Sequence, residues 1–410
     1  MYSHIDKCRI CGNSHLEEVL DLGEQTLTGV FPKSKDEPIT RGPLRLVKCT
    51  GNDDCCGLLQ LAHSYDLGEM YGDNYGYRSG LNQSMVRHLH AKVRKVMDIA
   101  DFSGHPVVLD IGSNDGTTLS AYPKGACKRI GMDPTAAKFH QYYPDDVLVI
   151  DDFFSAERFK QALPGEKARV VTSFSMFYDL ERPMDFMSEV EAILDDEGIW
   201  VFEQSYMPLM LERNSYDTAC HEHLEYYALK QIKWMTDRVN LKIVDLEFND
   251  VNGGSFSVTV AKQGSRYPEF SGLSAALQKE RELGLDSLRP YQAFAERAEG
   301  SRLSLRNFVL AALAEGKRVA CLGASTKGNV LLQYCGFTPD ELYAVGEVNP
   351  DKYGRFTPGT LIPIIPESEL LADEPDYLIV LPWHFREFFL EKYKLKKARL
   401  VFPLPELEVV

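Results

Sequence analysis

The sequence predicts an α/β protein in three unequal parts: a cysteine-rich N-terminal unit, a doubly wound unit in the middle and a second α/β unit at the C-terminal end. Three observations carry this. Cys8, Cys11, Cys49, Cys55 and Cys56 crowd the start of the chain. Two apolar runs, VVLDI and RVACL, each lead through a glycine-containing turn into a helical pattern, and further short apolar runs alternate with helix-length segments behind them. With 410 residues the chain can hold two or three hydrophobic cores, and the boundaries read as 1–75, 76–263 and 264–410. A hydrophobic fraction of 44% with 26% charged residues excludes global disorder.

Lys and Arg number 45 against 60 Asp and Glu, a formal net charge of −15. Such a surface disfavours nucleic acid as a partner, and an anionic ligand must meet a local basic pocket. No window of about eighteen uninterrupted apolar residues occurs, and MYSHIDKCRI lacks the apolar core of a signal peptide. The expectation is a cytoplasmic protein with no membrane partner, a monomer or weak oligomer. In a reducing compartment its nine cysteines form no disulfide framework.

The first element is metal-like. Cys8 and Cys11 form a C-x-x-C knuckle ahead of Gly12, and Cys49, Cys55 and Cys56 precede Gly57, as in a zinc ribbon. Cys8, Cys11, Cys49 and Cys56 are the expected ligands, with Cys55 as the alternative to Cys56. An all-sulfur set describes a closed structural site; catalytic zinc keeps an open position and usually includes histidine.

Residues 81–100 place Leu81, Met85, Leu89, Val93 and Ala100 on one face of an amphipathic helix. Val107 to Ile111 is then a short buried-type strand, and Gly112 to Gly116 is a turn into a helix. The next strand, KRIGM, ends at Asp133, where an acid can take two ribose hydroxyls. The loop reads DIGSNDG and lacks G-x-G-x-x-G, so the pyrophosphate seat of a dinucleotide fold is missing. Asp110 at the strand end suits a cationic cofactor such as S-adenosylmethionine instead. Gly112, Asn114, Asp115, Gly116 and Asp133 join it in the expected cofactor site, with Asp152 and Phe153 after the strand VLVI. Strands follow at ARVVTSF and GIWVFEQS, and LKIVDLEF, NDVNGG and SFSVTVAK read as an antiparallel hairpin closing a parallel sheet. Class I methyltransferase folds end this way, whereas dinucleotide domains finish on another parallel strand.

Between the fifth strand and that hairpin lies YDTACHEHLEYYAL, which holds His221, Glu222, His223, Glu225, Tyr226 and Tyr227. The zincin pattern H-E-x-x-H fails, because Glu225 stands four residues after His221. A general base is the expectation, a histidine whose pKa is set by the neighbouring carboxylate, since methyl transfer to carbon needs a carbanion or enolate. The alternative is a surface helix start with solvated histidines. Upstream, DNYGYRS adds Tyr75 and Tyr77 in a glycine-rich loop.

Residues 272–315 predict two helices broken between Gly284 and Pro290. GKRVACLGASTKGNVLLQYCG follows as strand, turn and helix, and LYAVGEV and DYLIVLP supply further strands. GASTKG lacks the middle glycine of the dinucleotide fingerprint; Lys327 in the turn, with Asn329 and Arg355, suits the diphosphate of a sugar nucleotide.

CRICG, CCGLLQL, DIGSNDG, DTACHEHLEYY, GKRVACLGASTKGN and GRFTPGTLIPI, in this order over nearly the whole chain, resemble the sugar C-methyltransferase family. That resemblance implies a zinc-binding domain, a class I methyltransferase Rossmann-like domain and a C-terminal Rossmann-like domain. It also implies S-adenosylmethionine and structural zinc as cofactors, and methylation at carbon 3 of a nucleotide-linked 4-keto-6-deoxy (or dideoxy) hexose, carried on dTDP first, or GDP or CDP. Carried over, the family's catalytic histidine falls on His223, its carboxylate on Glu222 and its loop tyrosine on Tyr75 or Tyr77, with His221 beside the substrate. Where some members have a tyrosine and a histidine, this chain has Cys220 and Met176. An O- or N-methyltransferase and a non-catalytic sugar-nucleotide binder are the competing readings.

Overall fold

The protein is described by a computed structural model that covers residues 1–51, 54–70 and 77–410. Tyr75 lies outside the described residues. The N-terminal part is built on a four-stranded antiparallel sheet. Leu16–Thr26, Arg41–Cys49 and Leu59–Leu61 pair in sequence, and the fourth strand, Glu225–Tyr226, arrives from the middle of the chain, with Glu225 opposite Gln60 and Tyr226 opposite Leu59. The segment that follows the two histidines therefore belongs to the cysteine-rich unit's sheet.

The middle sheet has seven strands in the order Leu241–Asn249, Ser255–Lys262, Leu194–Ser205, Ala168–Phe174, Val107–Ile111, Lys128–Met132, Val147–Ile150. The last five run parallel and the first two form the expected antiparallel hairpin. This is the class I methyltransferase order. Every residue of Val107–Ile111 is buried, which explains a continuous apolar run instead of an alternating one. The helix Gln83–Ile99 covers one face, capped at its start by the Asn82 side chain, which accepts from the Ser84 amide, and packed through Leu89, Val93 and Val96. Phe177, Phe186, Trp200 and Phe202 fill the other face.

The helices Leu273–Glu282 and Arg289–Ala314 are separated where expected, with Gly284 at φ +70° and Pro290 in the first turn of the second helix. They lead into a sheet ordered Ile364–Pro366, Val345–Glu347, Val319–Leu322, Tyr377–Val380, Arg399–Phe402, Glu408–Val409, parallel except for the last pair. The strand order reverses at the boundary between Val319–Leu322 and Tyr377–Val380: the strands that follow the first in sequence are added on one side of it and the later ones on the other. Open α/β sheets bind ligands at the carboxyl ends of such strands, where the outgoing loops diverge. No helix among the described residues is long and apolar enough to cross a membrane.

Candidate active site and zinc centre

The sulfurs of Cys8, Cys11, Cys49 and Cys56 lie within 4.8 Å of one another, with Cys8–Cys56 and Cys11–Cys49 each at 3.5 Å. Tetrahedral zinc at about 2.3 Å from sulfur sets ligand pairs roughly 3.8 Å apart, so the donor set fits. Gly12, at φ +69°, closes the first knuckle through its amide to the Cys8 carbonyl. The Asn13 amide reaches the Cys49 sulfur at 3.3 Å, an outer partner that orients a ligand. Cys56, not Cys55, completes the quartet. The closed four-thiolate arrangement makes the zinc structural.

The loop Gly112–Gly116 and Asp133 stand at the carboxyl ends of the neighbouring parallel strands Val107–Ile111 and Lys128–Met132. Gly112 and Gly116 take φ of +72° and +73°; a Cβ on Gly116 would stand 2.8 Å from the Tyr143 ring, so only glycine lets the loop lie this close. Asp110 is enclosed within the strand Val107–Ile111. It is 2% exposed, accepts from Thr172 Oγ1 at 2.5 Å, and burial pushes its carboxyl up to about 7. Its position supports the loop from beneath. Asp133 accepts from the Asn114 amide at 2.8 Å and from the Thr135 amide and hydroxyl at 2.6 Å, which sets the acid at the loop's edge. Asn114 and Asp115 in turn hold the segment 77–80: Asn114 accepts from the Ser79 amide and donates to the Tyr77 carbonyl, and Asp115 accepts from the Gly80 amide. Tyr77 is thereby anchored by its backbone beside the cofactor loop with a half-exposed ring. Asp152 pairs with Arg158 at 2.6 Å, and Phe153 after it is also half exposed.

His221, Glu222 and His223 lie in turn and extended backbone between residues 216–218 and Glu225–Tyr226, not at the start of a surface helix. His221 and Glu222 both meet Thr28, while His223 packs elsewhere. His221 is fully buried, edge-on to the Tyr65 ring and 3.4 Å from Thr28, which places it under the cysteine-rich unit and not at an opening. Glu222 reaches the same unit, accepting from Thr28 Oγ1 at 3.4 Å. His223 takes the other side: its Nδ1 lies 2.9 Å from the Thr218 carbonyl and its ring packs on Tyr178, 4.3 Å between centroids. The expectation that the adjacent carboxylate sets the histidine's pKa is thus replaced. Burial, followed by the charge of Lys327, lowers His223 to about 4.

The C-terminal unit packs against the same region. Lys327, in the first turn of the helix Thr326–Cys335, donates to the Asn252 carbonyl in the hairpin turn at 2.8 Å. Asn329 is wholly buried and donates to the Thr28 carbonyl at 2.7 Å; Arg355 donates to the Phe31 carbonyl at 3.2 Å. Both bind residues 28–31 of the N-terminal unit. Sequence reasoning missed Asp217, Asn252, Trp383 and His384. The buried Asp217 accepts from Trp383 Nε1 at 2.8 Å, and His384, lowered to about 3 by burial and by Lys327, stands beside it on the loop that leaves Tyr377–Val380. The signal available was the Trp-His pair directly after a parallel strand, where ligand loops arise.

Three family models tile the chain: a zinc binding domain over residues 8–71, a methyltransferase domain over 85–246 and a C-methyltransferase C-terminal domain over 250–405. The chain is 28% identical to C-methyltransferase NovU of Streptomyces niveus over 412 aligned positions, spanning 99% of this chain and 97% of that protein. Among solved structures, an S-adenosylmethionine-dependent methyltransferase of Archaeoglobus fulgidus matches 43% of this chain and 94% of its own, at 16% identity and a TM-score of 0.35. The CcbJ methyltransferase of Streptomyces caelestis matches 42% of this chain and 89% of its own, at 12% and 0.34. With its four-thiolate zinc centre, its seven-stranded methyltransferase sheet and its C-terminal α/β unit, the chain is similar over its whole length to C-methyltransferases and is an S-adenosylmethionine-dependent C-methyltransferase.

Proposed function

We propose that the enzyme methylates carbon 3 of a nucleotide-linked 4-keto-6-deoxy (or dideoxy) hexose, in deoxysugar biosynthesis for a natural product or a surface polysaccharide, with His223 as the base. The observation that carries the reading is the state of that imidazole. Its Nδ1 is fixed by the Thr218 carbonyl, while Nε2 makes no hydrogen bond among the described residues. A carbonyl partner sets the tautomer with the proton on Nδ1 and the lone pair on Nε2. A ketone at carbon 4 acidifies the proton on carbon 3, and a neutral imidazole within reach can remove it. S-adenosylmethionine supplies an electrophilic methyl group on a sulfonium. In this reading Gly112, Asn114, Gly116, Asp133, Asp152 and Phe153 border the cofactor, and Asp110 and Asp115 hold the loop that receives it. The loop tyrosine, Tyr77 or Tyr75, acts at the reacting carbon, Glu222 braces the turn that presents His223, and Arg355 and Lys327 stand on the nucleotide-sugar side. The sugar nucleotide occupies the switch-point crevice of the C-terminal sheet, as the divergence of its loops supports.

The test is His223→Asn, assayed with labelled S-adenosylmethionine against a panel of dTDP-, GDP- and CDP-linked 4-keto-6-deoxyhexoses. The wild type should place the label on carbon 3, read by product NMR. The variant should lose about 10²–10⁴-fold in turnover while binding the cofactor normally by calorimetry. Turnover near wild type in the variant, or a methyl group on oxygen or nitrogen, would overturn the proposal.

A further inference from the structure

Lys327 occupies a place that one role as a phosphate clamp does not account for. It starts a helix at the switch point of the C-terminal sheet, yet its ammonium is directed across to the methyltransferase unit, where Nζ meets the Asn252 carbonyl at 2.8 Å. The groups that feel its charge are His223, His384, Asp217 and Cys220, all on the loops around the reacting pocket. Asp217 is the acid among them: burial raises its carboxyl and the Lys327 charge opposes that. That carboxylate is fully buried, with Oδ2 bound to Trp383 Nε1 and Oδ1 without a partner. The other bases of the same crevice are committed elsewhere: Arg355 binds the Phe31 carbonyl, and Lys352 binds the Ala324 carbonyl and lies over the Phe31 ring at 4.5 Å. A diphosphate calls for several donors, whereas a single ammonium beside a base suits one oxygen on which charge develops.

We propose that Lys327 is a catalytic residue that donates an N–H to the ketone oxygen of the substrate and stabilises the enolate formed when His223 acts; this rests on the reading of His223 as the base. In the step, His223 Nε2 takes the proton on carbon 3. The C3–H bonding pair becomes the C3=C4 double bond, and the carbonyl π pair moves onto the oxygen facing Lys327. The ammonium keeps its three protons and shares one as a hydrogen bond. A buried, electron-poor imidazole is a weak base, so it can deprotonate carbon only where the product charge is met by a preorganised donor. Lys327 contributes to both conditions, since its charge adds to the burial that weakens His223 and also lowers the energy of the enolate.

The experiment follows exchange of the carbon-3 proton of dTDP-4-keto-6-deoxyglucose with deuterated solvent by NMR, in enzyme saturated with S-adenosylhomocysteine, so that no methyl transfer intervenes. Wild type should exchange. Lys327→Met, and Lys327→Gln as a second variant, should lower both exchange and kcat by about 10²–10³-fold, with KM and dTDP competition changed less than about threefold. Labelled-histidine NMR of Lys327→Met without substrate should show the His223 titration moving up from about 4. Absence of exchange in the wild type removes the base reading and the lysine role together. Undiminished exchange in folded variants, or a rise in KM and weaker dTDP competition at unchanged kcat, removes the lysine role alone, as does an unmoved His223 titration.

Discussion

Glu222 and His223 are neighbours in sequence and serve different surroundings, because the turn closed by the His223 amide on the Cys220 carbonyl separates their side chains. His223 packs on Tyr178 of the methyltransferase unit, while Glu222 accepts from the Thr28 hydroxyl and lies against Gly29. Gly29 makes that approach possible. A Cβ there would stand 2.0 Å from Glu222 Oε1 and 3.5 Å from Thr326 Oγ1, so Gly29→Ala must displace the carboxylate. The far end of the Glu222 side chain has to move, and the cost in stability should fall in the range of about 1–3 kcal/mol for overpacking a filled site. The rate should fall as well, because a shift of about 1 Å in a group that braces the catalytic turn costs on the order of 10–100-fold. Thermal melting and steady-state kinetics of Gly29→Ala separate the two effects. Unchanged kcat would show that the position of Glu222 does not matter to turnover.

At the level of elements, the helix Gln83–Ile99 is tied to the sheet by a buried ionic cluster. Glu203, 3% exposed on the strand Leu194–Ser205, lies 2.5 Å from His88 Nε2, 2.9 Å from Lys92 Nζ and 2.8 Å from Asn249 Nδ2. Burial raises the Glu203 carboxyl, but the His88 bond and the Lys92 charge outweigh it and hold the group below its ordinary 4.5. Glu203→Gln removes the charge and leaves Lys92 to Glu247, 2.8 Å away. The expected loss is about 3 kcal/mol, the lower range for breaking a buried pair. A carboxyl depressed by folding stabilises above its unfolded pKa and loses that contribution as pH falls. The gap in urea midpoint between wild type and variant should therefore be full at pH 7 and shrink below about pH 4.5. A gap independent of pH would show that the glutamate's charge is not what ties helix to sheet.

On the scale of the molecule, the elements with their own periodicity were legible and the junctions between them were not. Val107–Ile111, the closing hairpin and the pair of helices around Gly284 each carry a local signal, as do the two cysteine knuckles. The strand Glu225–Tyr226 carries none, because two residues show no alternation and their partner lies far away in the chain at Leu59–Leu61. Lys327 reads as a base in a turn, and only the meeting of the C-terminal helix with the hairpin shows what it faces. Residues 26–32 form the strap of this junction, since Gln333 exchanges hydrogen bonds with the Thr26 backbone and the Phe356 amide donates to the Pro32 carbonyl. Burial there has an acid-base consequence. Burial lowers His221 and His384 to about 3 and His63 and His223 to about 4, with neighbouring charges adding to it at His63, His223 and His384, against 6.5 for an exposed imidazole. Between those values the unfolded chain binds protons that the folded chain refuses, so stability falls as pH drops below 6.5, by at most about 1.4 kcal/mol per pH unit for each group. His221→Phe keeps a ring against Tyr65 and removes one such group. Urea midpoints taken from pH 7.5 to pH 5, with zinc release followed separately by a chromogenic chelator, should show the variant gaining on the wild type as pH falls. Parallel curves would mean that His221 takes up its proton in the folded protein as readily as in the unfolded chain, which a fully buried imidazole under Thr28 and Tyr65 should not do.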